Sequence, residues 1–287
     1  MSAVLERPTA GAARGTDDTA GAERIHAAFA AAHRMSRIAL IPYVVAGYPD
    51  AATSLRVALA AIDAGADLLE VGLPYSDPLA DGATLQRASQ VALAAGATLE
   101  GSLRLIEQIA AARPATPIVP MGYANQFLGG DDGEAAARRL ADAGAAGVIV
   151  ADLTPDEGGP FEARAAAHGL ALVYLVAPTT PAVRRAEIAA RSGGFLYCVS
   201  LVGVTGARAS LRASVGRLVR DVAAVSPVPV GVGFGVSKPG HVRAIARAGA
   251  GGVIVASALV DALGPDGTDT ERMARLVGDL AAATGAR

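Results

Sequence analysis

Leu68-Leu69-Glu70-Val71-Gly72-Leu73-Pro74-Tyr75-Ser76-Asp77-Pro78-Leu79-Ala80-Asp81-Gly82 is the stretch on which the reading of this chain turns. It opens as an apolar run suited to a strand buried on both faces. One carboxylate, Glu70, sits inside that run. Two glycines, two prolines and two more carboxylates follow, which predicts a structured loop. A strand that carries an acid at its end and then enters such a loop is the arrangement barrel enzymes use at their catalytic face.

The same pattern recurs on either side of it. Short apolar, β-branched runs at 38–45, 67–71, 117–121, 147–150, 171–176, 195–200, 229–232 and 252–255 predict strands of a parallel sheet. Each is followed by a helical segment, among them 84–95, 98–113, 133–143, 160–168 and 181–191, with Thr53 as the expected cap of a helix reaching residue 64. Eight such units predict a single α/β domain, a closed (β/α)8 barrel of the TIM type, rather than an open sheet. Ala-Gly-Ala tripeptides at 64–66, 143–145 and 248–250 precede strands, where glycine can end a helix in the left-handed conformation. Ahead of the first strand, Ile25, Ala28, Phe29 and Ala32 recur at helical spacing. They predict an extra N-terminal helix that plugs the base of the barrel. Residues 1–22, rich in Ala, Gly, Thr and Asp, are expected to form a disordered tail, with the barrel over 23–287.

Composition narrows the function. Of 287 residues 52% are hydrophobic, the net charge is −2, and aromatics are 4% with no Trp. That leaves neither the basic face nor the stacking rings of a nucleic-acid binder. Cys198 is the one cysteine, so no internal disulfide is possible and a reducing compartment is expected. The first residues lack the apolar core of a signal peptide, and no apolar run is long enough to span a membrane. A cytoplasmic enzyme, without membrane or nucleic-acid partner, is the expectation.

The rule that barrel chemistry sits at strand ends selects Tyr43, Glu70, Asp81, Tyr123, Asn125, Asp152, Tyr197 and Ser200. Glu70, among apolar residues, should have a raised pKa and both give and take a proton near neutrality. Its bland alternative is a buried ion pair with an arginine. Asp81, in a Gly-flanked loop, is expected to be solvated and ionised, fit to accept a hydrogen bond from a substrate N–H; its alternative is a turn-former before Gly82. Gly203-Val204-Thr205-Gly206, Gly233-Phe234-Gly235-Val236-Ser237 and Ala256-Ser257 follow the last three strands. Together they predict a phosphate site built from backbone N–H groups. The only lysine, Lys238, falls at a helix start and not on a strand, which argues against Schiff-base chemistry. His26, His33, His168 and His241 are scattered, so no metal site is expected.

The run from Leu69 to Gly82, followed by Thr84-Leu85-Gln86, resembles the signature of the tryptophan synthase alpha subunit family. Pro42-Tyr43, Gly47-Tyr48-Pro49, Tyr123-Ala124-Asn125, Ala151-Asp152-Leu153, Gly203-Val204-Thr205-Gly206 and Gly233-Phe234-Gly235-Val236-Ser237 extend the match in order. The resemblance implies a lyase that cleaves indole-3-glycerol phosphate to indole and glyceraldehyde 3-phosphate by a retro-aldol reaction. It assigns acid–base work to Glu70 and the indole N–H to Asp81. It makes Tyr43, Tyr123, Tyr197 and Thr205 substrate-binding and Gly206, Gly235 and Ser257 phosphate-binding. It implies no cofactor on this chain, and a pyridoxal-phosphate beta subunit as partner in an alpha2beta2 assembly. The alternatives are a stand-alone lyase supplying indole to a specialised pathway and a non-catalytic subunit that activates a partner. Two departures stand out. Ala256 occupies a position where the family commonly has glycine, and a left-handed φ would cost alanine about 1–2 kcal/mol. Residues 126–133 are less apolar than usual in a region that the family uses toward its partner.

Overall fold

Runs too short and too apolar to face water form the ring of strands in a computed structural model, which describes residues 16–129, 131–199, 208–233 and 235–285. The strands among the described residues are β1 (Ala39–Val45), β2 (Leu69–Gly72), β3 (Ile118–Gly122), β4 (Gly147–Val150), β5 (Ala171–Val173), β6 (Leu175–Val176), β7 (Leu196–Val199), β8 (Val230–Gly233) and β9 (Gly252–Val255). Their order is β5-β4-β3-β2-β1-β9-β8-β7-β6, parallel throughout. β5 and β6 are two halves of one barrel strand, interrupted at Tyr174. There the Tyr174 N–H donates to Ser192 Oγ (3.0 Å) rather than to a strand, while its carbonyl accepts from the Tyr197 N–H (3.0 Å). One half pairs with β4 and the other with β7, so eight barrel strands close the ring.

The helices are α1 (Ala20–Arg34), α2 (Ala51–Asp63), α3 (Ala83–Ala94), α4 (Leu99–Ala112), α5 (Ala124–Phe127), α6 (Glu134–Asp142), α7 (Pro155–Ala167), α8 (Ala182–Arg191), α9 (Arg208–Ala223), α10 (Pro239–Arg247), α11 (Ser257–Ala262) and α12 (Thr270–Ala283). Asp50, not Thr53, caps α2, accepting from the Thr53 N–H (2.9 Å) and the Thr53 hydroxyl (2.6 Å). Gly65, Gly144 and Gly249 take φ of 117°, 88° and 92°, the left-handed exits expected of the Ala-Gly-Ala repeats. Helix α7 begins at Pro155, five residues before the expected start at 160. Pro155 suits a first turn, where its missing N–H has no helical partner to lose, and Asp156 and Glu157 favour the positive end of the helix. Gly158, read as loop, is there for packing: a Cβ would stand 1.9 Å from the Tyr174 hydroxyl.

Helix α1 closes the base. Its Ala22, Ile25, Phe29 and Ala32 pack with barrel-interior residues Ile41, Leu68, Val119, Ile149, Val173 and Phe195. The helix begins at Ala20, before the expected limit of the tail at residue 22, and a 3-10 turn, Thr16–Asp18, precedes it. This earlier segment is tied down: Gly21 N–H donates to Gly169 O (2.8 Å), and Asp17 accepts from the Gly194 N–H (3.0 Å). The rest of the expected tail, residues 1–15, lies outside the described residues. Near the base, Asp67 takes two hydrogen bonds from the Arg37 guanidinium (2.6 and 2.7 Å) and one from the Leu40 N–H (2.8 Å). That joins the entries of β1 and β2 and sets the register on which the mouth of the barrel depends. No described helix is long and apolar enough to cross a membrane.

Candidate active site

Strand register brings the acid and the aromatics together. Tyr43 on β1 lies opposite Glu70 on β2, and Glu70 lies opposite Val119 on β3. Alternation along β2 puts Leu68, Glu70 and Gly72 on the interior face. Glu70 is 0% exposed, and among the described residues neither carboxyl oxygen has a hydrogen-bond partner. Burial, and secondarily the charge of Asp81, pushes its pKa up to about 8. Among the described residues, the arginine ion pair weighed for Glu70 is not formed. A buried carboxyl without protein partners is held in its neutral form, ready to release a proton to a ligand.

Asp81 is not solvated as expected. It is half-buried, and burial raises its pKa to about 6 although the Tyr123 hydroxyl donates to it and pulls the other way. The loop after β2 folds inward because four contacts hold it there. The Ala80 N–H donates to Tyr123 Oη (3.0 Å), and Gln126 Nε2 donates to Pro74 O (3.1 Å). Tyr75 stacks on Tyr123 with ring centroids 5.1 Å apart, and Asn125 Nδ2 donates to Tyr75 Oη (3.1 Å). The turn-forming role exists as well: the Asp81 N–H donates to Pro78 O (3.1 Å), and Gln86 Nε2 donates to Asp81 O (2.9 Å). Tyr123 thus accepts from the loop backbone and donates to the loop carboxylate, which fixes where the second acid stands.

Tyr43 and Tyr197 are 5% and 8% exposed and carry hydroxyls whose pKa lies well above the ordinary phenol value. Burial is the main cause for both, followed for Tyr43 by Asp81 and Glu70 and for Tyr197 by Glu70 and Asp81. Each ring lies over a glycine of the adjacent strand. A Cβ on Gly72 would come within 1.7 Å of Tyr43 Oη, and one on Gly233 within 2.3 Å of Tyr197 Oη. Cys198, the next residue after Tyr197, is buried with its thiol pushed up to about 12 by burial.

Five of the sequence-predicted residues, Tyr43, Glu70, Asp81, Tyr123 and Tyr197, therefore converge at one barrel mouth. Gly235, with φ 45°, follows β8, and Ser257 opens α11 directly after β9; these strands are paired through Gly233 and Ile254. Ala256 has φ −120°, outside the left-handed region, so its methyl carries none of the strain that the sequence raised. Asp152 faces the backbone, accepting from the Ala124 N–H at the start of α5 (2.7 Å). Thr205, Gly206 and Ser200 lie outside the described residues. Sequence reasoning missed Gly72 and Gln126, and it placed Gly233 in the phosphate loop without seeing that Tyr197 needs its space. A glycine two residues beyond a strand acid, on the same face, is a readable sign that a neighbouring ring needs the space. Gln126 takes the Tyr123 N–H on Oε1 (3.0 Å) while it holds Pro74 through Nε2.

Fold and site together define a (β/α)8 barrel with an acid–base pocket at the carboxyl ends of its strands. A family model described as tryptophan synthase alpha chain matches residues 29–284. The tryptophan synthase alpha chain of Roseiflexus sp. (strain RS-1) is 48% identical over 241 residues, 84% of this chain and 91% of the relative. That of Methanothermobacter thermautotrophicus is 43% identical over 253 residues, 86% and 91% of the two chains. Among solved structures, Mycobacterium tuberculosis tryptophan synthase superposes with a TM-score of 0.82 at 40% identity, covering 91% of this chain and 98% of that one. A Pyrococcus furiosus tryptophan synthase complex gives 0.77 at 34% identity, with 85% and 98% covered. The chain belongs to the tryptophan synthase alpha chain family.

Proposed function

We propose that this chain is the alpha subunit of a tryptophan synthase in L-tryptophan biosynthesis, a carbon–carbon lyase that converts indole-3-glycerol phosphate to indole and glyceraldehyde 3-phosphate. The observation that carries the reading is the unpartnered, buried Glu70 carboxyl beside an Asp81 held by Tyr123. Protonated Glu70 delivers its proton to ring carbon 3, and the positive charge this places on the ring nitrogen is stabilised by ionised Asp81 accepting from the ring N–H. Glu70, now a carboxylate, takes the proton of the hydroxyl on the attached chain carbon. The carbon–carbon bond breaks, its electron pair restores the ring double bond, and the chain carbon becomes the aldehyde. One carboxyl gives one proton and recovers one, so the products account for every atom of the substrate. Tyr43, Tyr123 and Tyr197 line the ring pocket, and by the family resemblance Thr205 is assigned to substrate binding and Gly206, Gly235 and Ser257 to phosphate binding.

The unlike carboxyls divide the work. With Glu70 near 8 and Asp81 near 6, the required pair, a neutral Glu70 and a charged Asp81, coexists between those values. The partner is a tryptophan synthase beta subunit in a cytoplasmic alpha2beta2 assembly; the solved neighbours from M. tuberculosis and P. furiosus, described as tryptophan synthase and a tryptophan synthase complex, support this reading. The test is indole release from indole-3-glycerol phosphate by the purified chain alone and with a beta subunit added. Strong stimulation is expected. High activity without stimulation would instead make the chain a stand-alone lyase, and no indole in either case would overturn the lyase reading.

A further inference from the structure

The retro-aldol reading leaves the buried hydroxyls of Tyr43 and Tyr197 without a task, and of the two tyrosines it is Tyr43 that strand register sets directly opposite Glu70. The Tyr43 hydroxyl stands over Gly72, which lies two residues beyond Glu70 on the same face of β2. Two residues advance a strand by about 6–7 Å toward the mouth. The hydroxyl is therefore on the mouth side of Glu70, and both carboxyls act on it, Asp81 more strongly than Glu70. It is not hydrogen-bonded to Glu70, whose oxygens have no partner among the described residues. The absence of a side chain at Gly72 is what allows the phenol to be a phenol there, since any Cβ would displace its oxygen.

We propose that Tyr43 donates a hydrogen bond to the substrate hydroxyl oxygen at the bond being cleaved, and so directs that hydroxyl's own proton to Glu70. This rests on the lyase reading. The substrate has three kinds of polar group. Its ring N–H is met by Asp81, and its phosphate belongs at the loops after the last strands. The chain hydroxyls remain, and the one at the scissile carbon must lie against Glu70, because Glu70 serves both that oxygen and ring carbon 3. As the proton leaves, negative charge gathers on this oxygen before the carbonyl forms. A neutral donor already in place stabilises that charge without reorganisation. The phenol stays neutral through the cycle, its proton held by burial and by the two acids. Tyr43 is thus assigned a catalytic contact with the reacting oxygen as well as a place in the ring pocket.

The test compares wild type with Tyr43→Phe, which keeps the ring and removes only the oxygen. Two measurements are made on each full-length chain: steady-state indole release from indole-3-glycerol phosphate, and calorimetric binding of indole-3-propanol phosphate, which has the ring, chain length and phosphate but neither hydroxyl. The expected result is a kcat reduced about 10²- to 10³-fold, a smaller change in KM, and an analogue Kd within about twofold of wild type. A Tyr43→Phe chain with unchanged kcat would overturn the inference while leaving the lyase reading intact. Equal weakening of substrate and analogue would overturn it too, since it would make Tyr43 a packing residue only. A wild-type chain that releases no indole, with or without a beta subunit, overturns the lyase reading and this inference with it.

Discussion

At the residue scale the active site is an arrangement of unsatisfied demand. A carboxyl that is fully buried and unpartnered is expensive in a folded protein, commonly by several kcal/mol if charged. Glu70 avoids most of that cost by staying protonated, and the same neutrality makes it an acid at neutral pH. Glu70→Gln retains the shape and loses the proton. Turnover is expected to fall about 10²- to 10⁴-fold with substrate affinity retained; steady-state kinetics and calorimetric titration of the variant check both. The pH dependence follows from the two acids. On the proposed mechanism, Asp81 protonated below about 6 would not take the ring N–H, and Glu70 ionised above about 8 would lack the proton to give. A bell-shaped kcat/KM profile with limbs near those values is expected. Tyr123 tunes the acidic limb. Its hydroxyl lowers the pKa of Asp81, so Tyr123→Phe should move that limb upward while leaving the basic limb in place. A profile in which both limbs shift together would contradict this division.

At the scale of elements, glycines set how closely neighbours approach. Gly72→Ala would drive a methyl into Tyr43 Oη at 1.7 Å and its ring carbon at 2.2 Å. The ring must leave its place, so this variant is expected to lose activity and, as an overpacked core, about 1–3 kcal/mol of stability; a urea midpoint alongside the kinetic assay separates the two effects. Gly21→Ala would bring a methyl to 1.7 Å from the Ala146 carbonyl oxygen, at the opposite end of the barrel. A backbone carbonyl gives less readily than a side chain, so α1 should lift from the base, with loss of stability and little direct effect on the pH limbs. The strand–helix alternation was legible because barrel strands are buried on both faces and show up as uniform apolar runs. The start of α7 was not, because Gly158 is explained by the Tyr174 hydroxyl and not by its own neighbours. The order in Thr16–Asp18 was equally hidden, since Asp17 finds its partner at Gly194, 177 residues further along the chain. Asp81 was misjudged for the same reason. Its loop reads as polar and open, but its burial is decided by Tyr123 and Gln126 on another strand's exit.

Across the whole molecule, stability and the proposed acid role depend on the same protonation state of the same carboxyl. The pKa of Glu70 is 4.5 in an unperturbed chain and about 8 in the fold. Between those values the folded chain binds the proton that the unfolded chain has released. Stability from this group is therefore fully present below about 4.5 and is lost as pH rises through 8, the charged form being the one the core resists. The difference corresponds to a few kcal/mol at alkaline pH, a sizeable part of a typical domain's margin of about 5–15 kcal/mol. Asp81, raised to about 6, adds a smaller loss of the same sign between its own unfolded and folded values. Glu70→Gln removes the charge without emptying the space. The expected outcome is a variant as stable as wild type at pH 5 and more stable at pH 9, with a flatter dependence of Tm on pH between the two. Thermal unfolding of both chains at matched ionic strength measures it. Equal slopes would mean that Glu70 acquires a partner or water on ionisation and that the core does not resist its charge, which would also undercut its use as a neutral acid at the mouth of the barrel.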